Sequence, residues 1–365
     1  MPPPTRLADV WRARIVAPGD DSEDRADDFV HVPVMRDETV AWIQPVPNGR
    51  YVDLTTGGAG HATAILDACP HLDLLGLDRD PVAVAVATQR LARFGSRARV
   101  VHARSDDLVA VVADDAARRG SRPVTAMLAD LGVSSVQFDR GDRGFSFRHD
   151  AALDMRMDQT AGPTAADFVN EASFADLANA LRNYGDERFA GRIAKALIAN
   201  RPVTTTARLA ELVTNAIPAA TRRTGGHPAK RTFQALRIVV NDELHVLETM
   251  LRAGLDALAP GGRFVVLAYH SGEDRIVKEV FRTAETGGCS CPSGLPCVCG
   301  ALPRGRMVRR GVTRPQDAEI ASNPRAASAV ARVFEMVVPG AAAAPGTPSG
   351  EVRSTPFGPS LRPHA

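Results

Sequence analysis

The sequence has no apolar run long enough for an ordinary membrane-spanning helix, so a span of that kind is excluded. Its opening, Met1-Pro-Pro-Pro-Thr-Arg6, lacks the apolar stretch of a secretion signal, from which a cytoplasmic location is expected. Cysteine is scarce, five in 365 residues, which excludes a disulfide scaffold and agrees with a reducing compartment. No internal repeat is visible. A strong charge is missing too: 44 Lys and Arg against 42 Asp and Glu leave a formal +2, which argues against an indiscriminate polyanion binder. Lysine itself is rare, three of those 44, a bias that genome composition explains as readily as RNA binding. What is there suits a globular protein: 44% hydrophobic and 24% charged residues are enough to build a core. At roughly 150 residues per domain, the length predicts two domains.

The ends differ from the middle. Residues 1–30 carry seven acidic residues against four arginines and show no sustained apolar period, which predicts a disordered acidic leader. Residues 339–365 are rich in Ala, Pro, Gly and Ser and read as a disordered tail. Between them, strand patterns at 51–54, 72–78, 98–102 and 124–130 alternate with helical patterns at about 61–69, from Pro81, and at about 106–119. Such alternation predicts a parallel, doubly wound α/β sheet. It stops after the fourth strand. Residues 141–228 show helical patterns at 173–183, 186–199 and 204–216, which predicts an inserted all-helical subdomain. A long helical pattern at about 229–258 ends at Pro260-Gly-Gly262, and the sheet resumes with 263–269, a helix at 273–285 and a last strand at 331–338. The sheet domain is therefore expected from 31–140 and 229–338. Its insertion should cover a site at the carboxyl ends of the strands.

The segment Val52-Asp53-Leu54-Thr55-Thr56-Gly57-Gly58-Ala59-Gly60-His61 is a cofactor-loop candidate. A carboxylate ends the first strand, and small residues let backbone approach a ligand before a helix begins. Asp78 ends the second strand, placed to accept hydrogen bonds from ribose hydroxyls. The bland alternative is a tight turn that needs its glycines. Glycines at 57, 58 and 60 miss the Gly-x-Gly-x-x-Gly register that a pyrophosphate wants, and Asp53 would repel phosphate. Both features favour a cationic, phosphate-free ligand such as S-adenosylmethionine over a nicotinamide dinucleotide. Asp53 and Gly57 join the cofactor candidates on this reading.

The fourth strand ends at Asp130, facing the ligand crevice unless it merely caps the next segment. The fifth ends Tyr269-His270-Ser271-Gly272-Glu273-Asp274-Arg275, which either orients a substrate or opens a helix. Four cysteines lie in Cys289-Ser-Cys291 and Cys297-Val-Cys299. The two pairs could wrap a tetrahedral zinc, although the usual spacing is Cys-x2-Cys; the alternative is a loop of reduced thiols.

The segments DLTTGGAGH (53–61), LDRDP (77–81), DLGVSSVQFD (130–139), RGFSF (143–147), LDMRMD (153–158), HPAKRTFQALRIVVNDEL (227–244), YHSGEDRIVK (269–278) and NPRA (323–326) occur in this order. Together they resemble the ribosomal small-subunit RNA methyltransferase H family (RsmH/MraW) over about residues 30–338. The resemblance implies a class I, Rossmann-like S-adenosylmethionine methyltransferase acting on N4 of a cytidine in the decoding centre of 16S rRNA. It carries cofactor contacts onto Ala59, Gly60, His61, Asp78, Asp130 and Gln137. The chain departs from the family near Ser105, where the usual aromatic is missing, and at Gly272, where leucine is common.

Methylating cytosine N4, whose lone pair is delocalised, calls for an unstacked base and an acceptor for the amino hydrogens. Asp130 is the candidate acceptor, with the cofactor's polar end as its rival partner, and His270 is the second catalytic candidate. Phe145, Phe147 or Tyr269 would stack the base, although a phenylalanine pair is more often core. The near-neutral total conceals patches. Residues 182–233 hold ten basic and three acidic residues, and 300–314 hold five arginines and no acid. Arg223, Lys230 and Arg231, with Arg275, are assigned to substrate phosphates, although a solvated helix face accounts for part of the charge. The expected partner is 16S rRNA within the small subunit, with no membrane; homodimer formation is left open. The reading from another class is a non-catalytic RNA-binding ribosome-assembly factor.

Overall fold

The computed structural model describes residues 32–44, 46–134, 137, 141–219, 227–292 and 298–337. The expected leader and tail lie outside them. Among the described residues seven strands form one sheet: β1 (Gly49–Asp53), β2 (Leu72–Asp78), β3 (Ala98–His102), β4 (Val124–Asp130), β5 (Leu258–Ala268), β6 (Gly305–Met307) and β7 (Val330–Met336). Their order is β3-β2-β1-β4-β5-β7-β6, with β1 to β5 mutually parallel and β7 antiparallel to both its neighbours. This is a doubly wound, Rossmann-like α/β sheet.

The strands with the plainest sequence signal are the central ones. Every residue of β1 is buried, because helices cover both faces and no position is left for water. Alternation then sorts side chains between two cores: Tyr51, Leu74 and Leu128 enter one, Val52, Leu75 and Met127 the other. On the second face Phe264, Phe281 and Phe334 lie with ring centroids 5.6 and 5.3 Å apart. Each is fully buried, worth about 1.5–3 kcal/mol, and together they join β5, β7 and the helix following β5.

The flanking helices start where local chemistry dictates. α1 (Arg36–Ile43) precedes the sheet and α2 (Gly60–Ala68) follows β1. α3 (Pro81–Leu91) is capped by Asp80, whose carboxylate accepts from the Val82 N–H, while Pro81 sits where its missing donor costs nothing. α4 (Leu108–Arg119) leads into β4. Its Asp115 is fully buried and gathers Arg50, Arg99 and Arg119.

Between β4 and β5 lie α5 (Ala165–Glu171), α6 (Phe174–Gly185), α7 (Ala190–Ala199), α8 (Thr206–Ala216), α9 (Lys230–Asn241) and α10 (Glu243–Ala257). α5 was not anticipated. Its seven residues are too few for a clear apolar period, and its signal is the Thr164/Asp167 capping box. This region has its own core, including Leu153, Val169, Leu181, Ile193, Leu209 and Phe233.

The continuous helix predicted over 229–258 is instead two helices. Asp242 takes a left-handed conformation (φ 52°) between α9 and α10, which an aspartate tolerates better than most residues. Asn241 explains why the break is fixed there. Its amide accepts from Met157 N–H and donates to the Met155 carbonyl, and its backbone carbonyl accepts from Arg79. β5 begins at Leu258, ahead of the Pro-Gly-Gly expected to precede it. After β5 come α11 (Ser271–Thr286) and α12 (Asp317–Ser322). Among the described residues no helix is long and apolar enough to cross a membrane.

Candidate active site at the carboxyl ends of the strands

β1, β2 and β4 end on Asp53, Asp78 and Asp130, and the parallel register puts these ends on one side of the sheet. The loop after β1 is shaped for close approach. Gly57 (φ 52°) and Ala59 (φ 60°) are both left-handed. A Cβ on Gly60 would lie 2.5 Å from a ring carbon of Pro33, so only glycine lets that proline pack there. Pro33 went unnoticed in the sequence because no local pattern ties it to residue 60.

Asp53 is buried; its carboxylate accepts from the Tyr51 hydroxyl at 2.9 Å and the Thr55 N–H at 3.2 Å. Burial nevertheless pushes its pKa up to about 7, assisted by repulsion from Asp78 and opposed by those two hydrogen bonds. Asp78 is pushed up to about 6, again by burial first, although the N–H groups of Gly57 (2.7 Å) and Asp80 (2.9 Å) donate to it. Each of its oxygens keeps a lone pair for a ligand hydroxyl.

Asp130 is held from two sides. Its N–H donates to Thr55 Oγ1 at 2.7 Å, and its carboxylate accepts from the Tyr269 hydroxyl at 2.7 Å. His61 Nε2 lies 3.6 Å from its other oxygen. Protein surrounds Asp130 and burial raises its pKa to about 7, opposed by the Tyr269 hydrogen bond and assisted by repulsion from Asp53. Its side chain still keeps 28% exposure, so an incoming group can reach it. Among the described residues none of these three carboxylates forms an ion pair with lysine or arginine. Three acceptor-rich, crowded carboxylates beside a left-handed loop suit a ligand with hydroxyls and positive charge. They do not suit a pyrophosphate.

Tyr269, considered above only as a stacking rival, thus contributes its hydroxyl. The other aromatic candidates are occupied: Phe145 is buried in the helical region's core, and Phe147 stacks on His227 at 4.1 Å.

The structure spreads the remaining candidates over three surroundings. Gln137 is buried, its Oε1 accepting from Ser134 N–H (3.0 Å) and its Nε2 donating to Asp80 (3.1 Å), so both ends of its amide bind protein. His270 caps α11. Its Nδ1 accepts from Glu273 N–H, and Glu273 in turn accepts from the N–H groups of Tyr269 and His270. Burial alone would raise the Glu273 pKa, but His270, Arg237 and the Tyr269 N–H together hold it below the ordinary value. His270 and Glu273 therefore set the turn that carries Tyr269.

Lys230 and Arg231 open α9 and are exposed; Arg231 donates to the Asp186 carbonyl, and the Ser271 hydroxyl lies 3.2 Å from the Asp186 carboxylate. Asp186 thereby joins the start of α9 to the start of α11, where Arg275 is exposed. Arg223 and Cys297 lie outside the described residues. Cys289, Cys291 and Cys299 come together in the loop after α11.

Two residues missed by sequence reasoning tie this site to the helical region. Asp80 and Arg143 are almost fully buried and form an ion pair at 3.1 Å, and Arg143 also donates to the Arg156 and Met157 carbonyls. Separated by 63 positions, they share no local pattern.

A family model described as the MraW methylase family matches residues 28–337. The chain is 48% identical over 316 residues to ribosomal RNA small subunit methyltransferase H of Geobacter sp. (strain M21), covering 85% of this chain and 100% of that one. It is 50% identical over 322 residues to the protein of the same name from Mycobacterium tuberculosis (strain ATCC 25177 / H37Ra), covering 85% and 80%. A solved rRNA methylase from Streptococcus thermophilus aligns at TM-score 0.36 and 12% identity, over 83% of this chain and 94% of that one. That likeness is too loose to carry the fold, which rests on strand order and register.

Proposed function

The chain belongs to the MraW methylase family, and from that premise we propose that it methylates N4 of a cytidine in the decoding centre of 16S rRNA, using S-adenosylmethionine. The observation that carries this reading is Asp130 at the end of β4, reachable from solvent, oriented by Tyr269, beside a loop rimmed with Asp53 and Asp78. S-adenosylmethionine, when bound, supplies a methyl group on a cationic sulfonium. Asp78 would accept from the ribose hydroxyls. Gly57, Ala59 and Gly60 leave room for the ligand, and Asp53 and His61 would line its amino-acid end. Asp130 would accept a hydrogen bond from the cytosine amino group, steady the positive charge developing on N4, and receive the proton that N4 sheds. Tyr269 is a positioning residue for Asp130, as His270 and Glu273 are for Tyr269. The helical region 141–228 would grip rRNA phosphates together with Lys230, Arg231 and Arg275, and with Arg223.

The test incubates the protein with labelled S-adenosylmethionine and either small subunits lacking the modification or naked 16S rRNA. Label should appear as N4-methylated cytidine in digested RNA. Intact cofactor binding with no transfer to either substrate would favour an assembly factor.

The raised carboxylates set a pH dependence with opposite signs for ligand and apoprotein. Asp53 and Asp130 become largely charged only above about pH 7, so affinity for the cationic cofactor should rise several-fold between about pH 6 and 8. Without ligand, each raised group binds a proton more tightly folded than unfolded. Its stabilising contribution is present below the unfolded pKa and is lost as pH climbs through about 7. Calorimetric titration at the two pH values checks the first part. Equal affinities would remove these carboxylates from cofactor recognition.

Replacing Lys230 and Arg231 together by glutamine should weaken binding to naked 16S rRNA and reduce the slope of log K against log salt by about 1.4–1.8. Filter binding over a salt series measures this; an unchanged slope would take both residues off the RNA path.

A further inference from the structure

We propose that Cys289, Cys291 and Cys299 form a thiolate site for a structural zinc ion that staples the loop between α11 and β6. Their three sulfurs lie within 4.8 Å of one another, and Cys289 and Cys299 Sγ are 3.6 Å apart. A disulfide would bring two sulfurs to about 2.05 Å. Two thiolates 2.3 Å from one tetrahedral ion stand about 3.8 Å apart. The Cys289–Cys299 separation fits two ligands of one ion. A four-iron cluster, which gives each thiolate its own iron, would spread them farther.

The loop also has a physical need for a cross-link. Among its described residues from Glu285 to Arg304, none is buried, and none from Gly288 to Arg304 lies in a helix or strand. Val298 is 88% exposed and Leu302 81%, so among the described residues no apolar core holds the segment. Yet it closes tightly: a Cβ on Gly287 (φ 63°) would lie 2.5 Å from the Leu302 backbone, and Arg304 N–H donates to the Ala284 carbonyl at 2.8 Å. A closed segment with neither core nor ladder is where small folds use a metal in place of hydrophobic burial. The ion would fix the path of the chain into β6 and the arginine-rich residues 304–314.

The full-length protein, purified under reducing conditions without metal-chelating resin, should contain about one zinc per chain by mass spectrometry of the elements. Mercuration of the thiols should release it to a colorimetric dye. Cys289→Ser/Cys291→Ser/Cys299→Ser, checked for folding by circular dichroism, should hold less than about a tenth of that. If the triple variant does not fold, cobalt(II) replaces zinc in the wild-type protein, and intense sulfur-to-metal charge-transfer absorption is the expected result. The proposal is overturned by any of four results: less than about a tenth of an equivalent after zinc reconstitution, metal retained by a folded triple variant, iron as the resident metal, or cobalt binding without thiolate absorption.

Discussion

Asp130→Ala is expected to abolish methyl transfer, lowering kcat by about a thousandfold or more while the protein stays folded. The carboxylate would be the acceptor placed where charge develops on N4, and no neighbouring acceptor can replace it. Asp53 is buried and already accepts from Tyr51 and Thr55, and Glu273 accepts from the backbone of Tyr269 and His270. Tyr269→Phe separates catalysis from folding. Its hydroxyl stabilises the charged form of Asp130, so its loss should raise the pH at which activity is half-maximal and lower the neutral rate about tenfold. A merely structural tyrosine would lower activity without moving that midpoint. Single-turnover rates measured across the pH range with saturating cofactor provide the check. Near-normal turnover by folded Asp130→Ala would remove the residue from the mechanism.

The largest expected loss of stability is at Asp80→Ala, about 3–5 kcal/mol. Asp80 is completely buried and does three jobs: it caps α3 through Val82, accepts from Gln137, and balances Arg143. Removing it leaves a guanidinium that is 2% exposed without its counter-charge. A buried unpaired charge costs more than the pair gains, so the sign is firm. Asp80→Ala/Arg143→Met should recover much of the loss, because the charge disappears with its partner. Urea denaturation of both variants measures the effect. A single-variant loss under about 1 kcal/mol would show that water already reaches Arg143.

This pair would let the proposed cofactor loop and the proposed substrate-gripping helical region act together. Asp80 follows Asp78, the proposed ribose partner, by two residues, and Arg143 reaches from the start of the helical region to the carbonyls of Arg156 and Met157. Asn241 adds a second tie, from the end of α9 to the Met155–Met157 turn and to Arg79. Gln137, expected to touch cofactor, braces this junction through its hydrogen bonds with Ser134 and Asp80. Its influence on cofactor binding would therefore pass through the position of Asp78 and its loop.

The lack of strong net charge limited the function classes only weakly, whereas the strand-end aspartates and the glycine loop spoke directly. Those features depend on short-range rules. A central strand buried on both faces reads as a mostly apolar run, a carboxylate at its end is adjacent in sequence, and left-handed backbone favours glycine, as at Gly57. The parallel strands and the strand-end places of Asp53, Asp78 and Asp130 were legible for that reason, whereas β6 and the antiparallel direction of β7 were not. Contacts between distant segments were not. Tyr269 meets Asp130 across 139 positions and Asp80 meets Arg143 across 63, pairings that depend on which strand ends become neighbours. His270 shows the same division: its residue type suggested catalysis, while its place as the cap of α11, accepting from Glu273 N–H, became visible only in the fold. Local chemistry thus determined what each element is. Tertiary packing decided which side chains remain available for ligand once burial has obliged the others to satisfy one another.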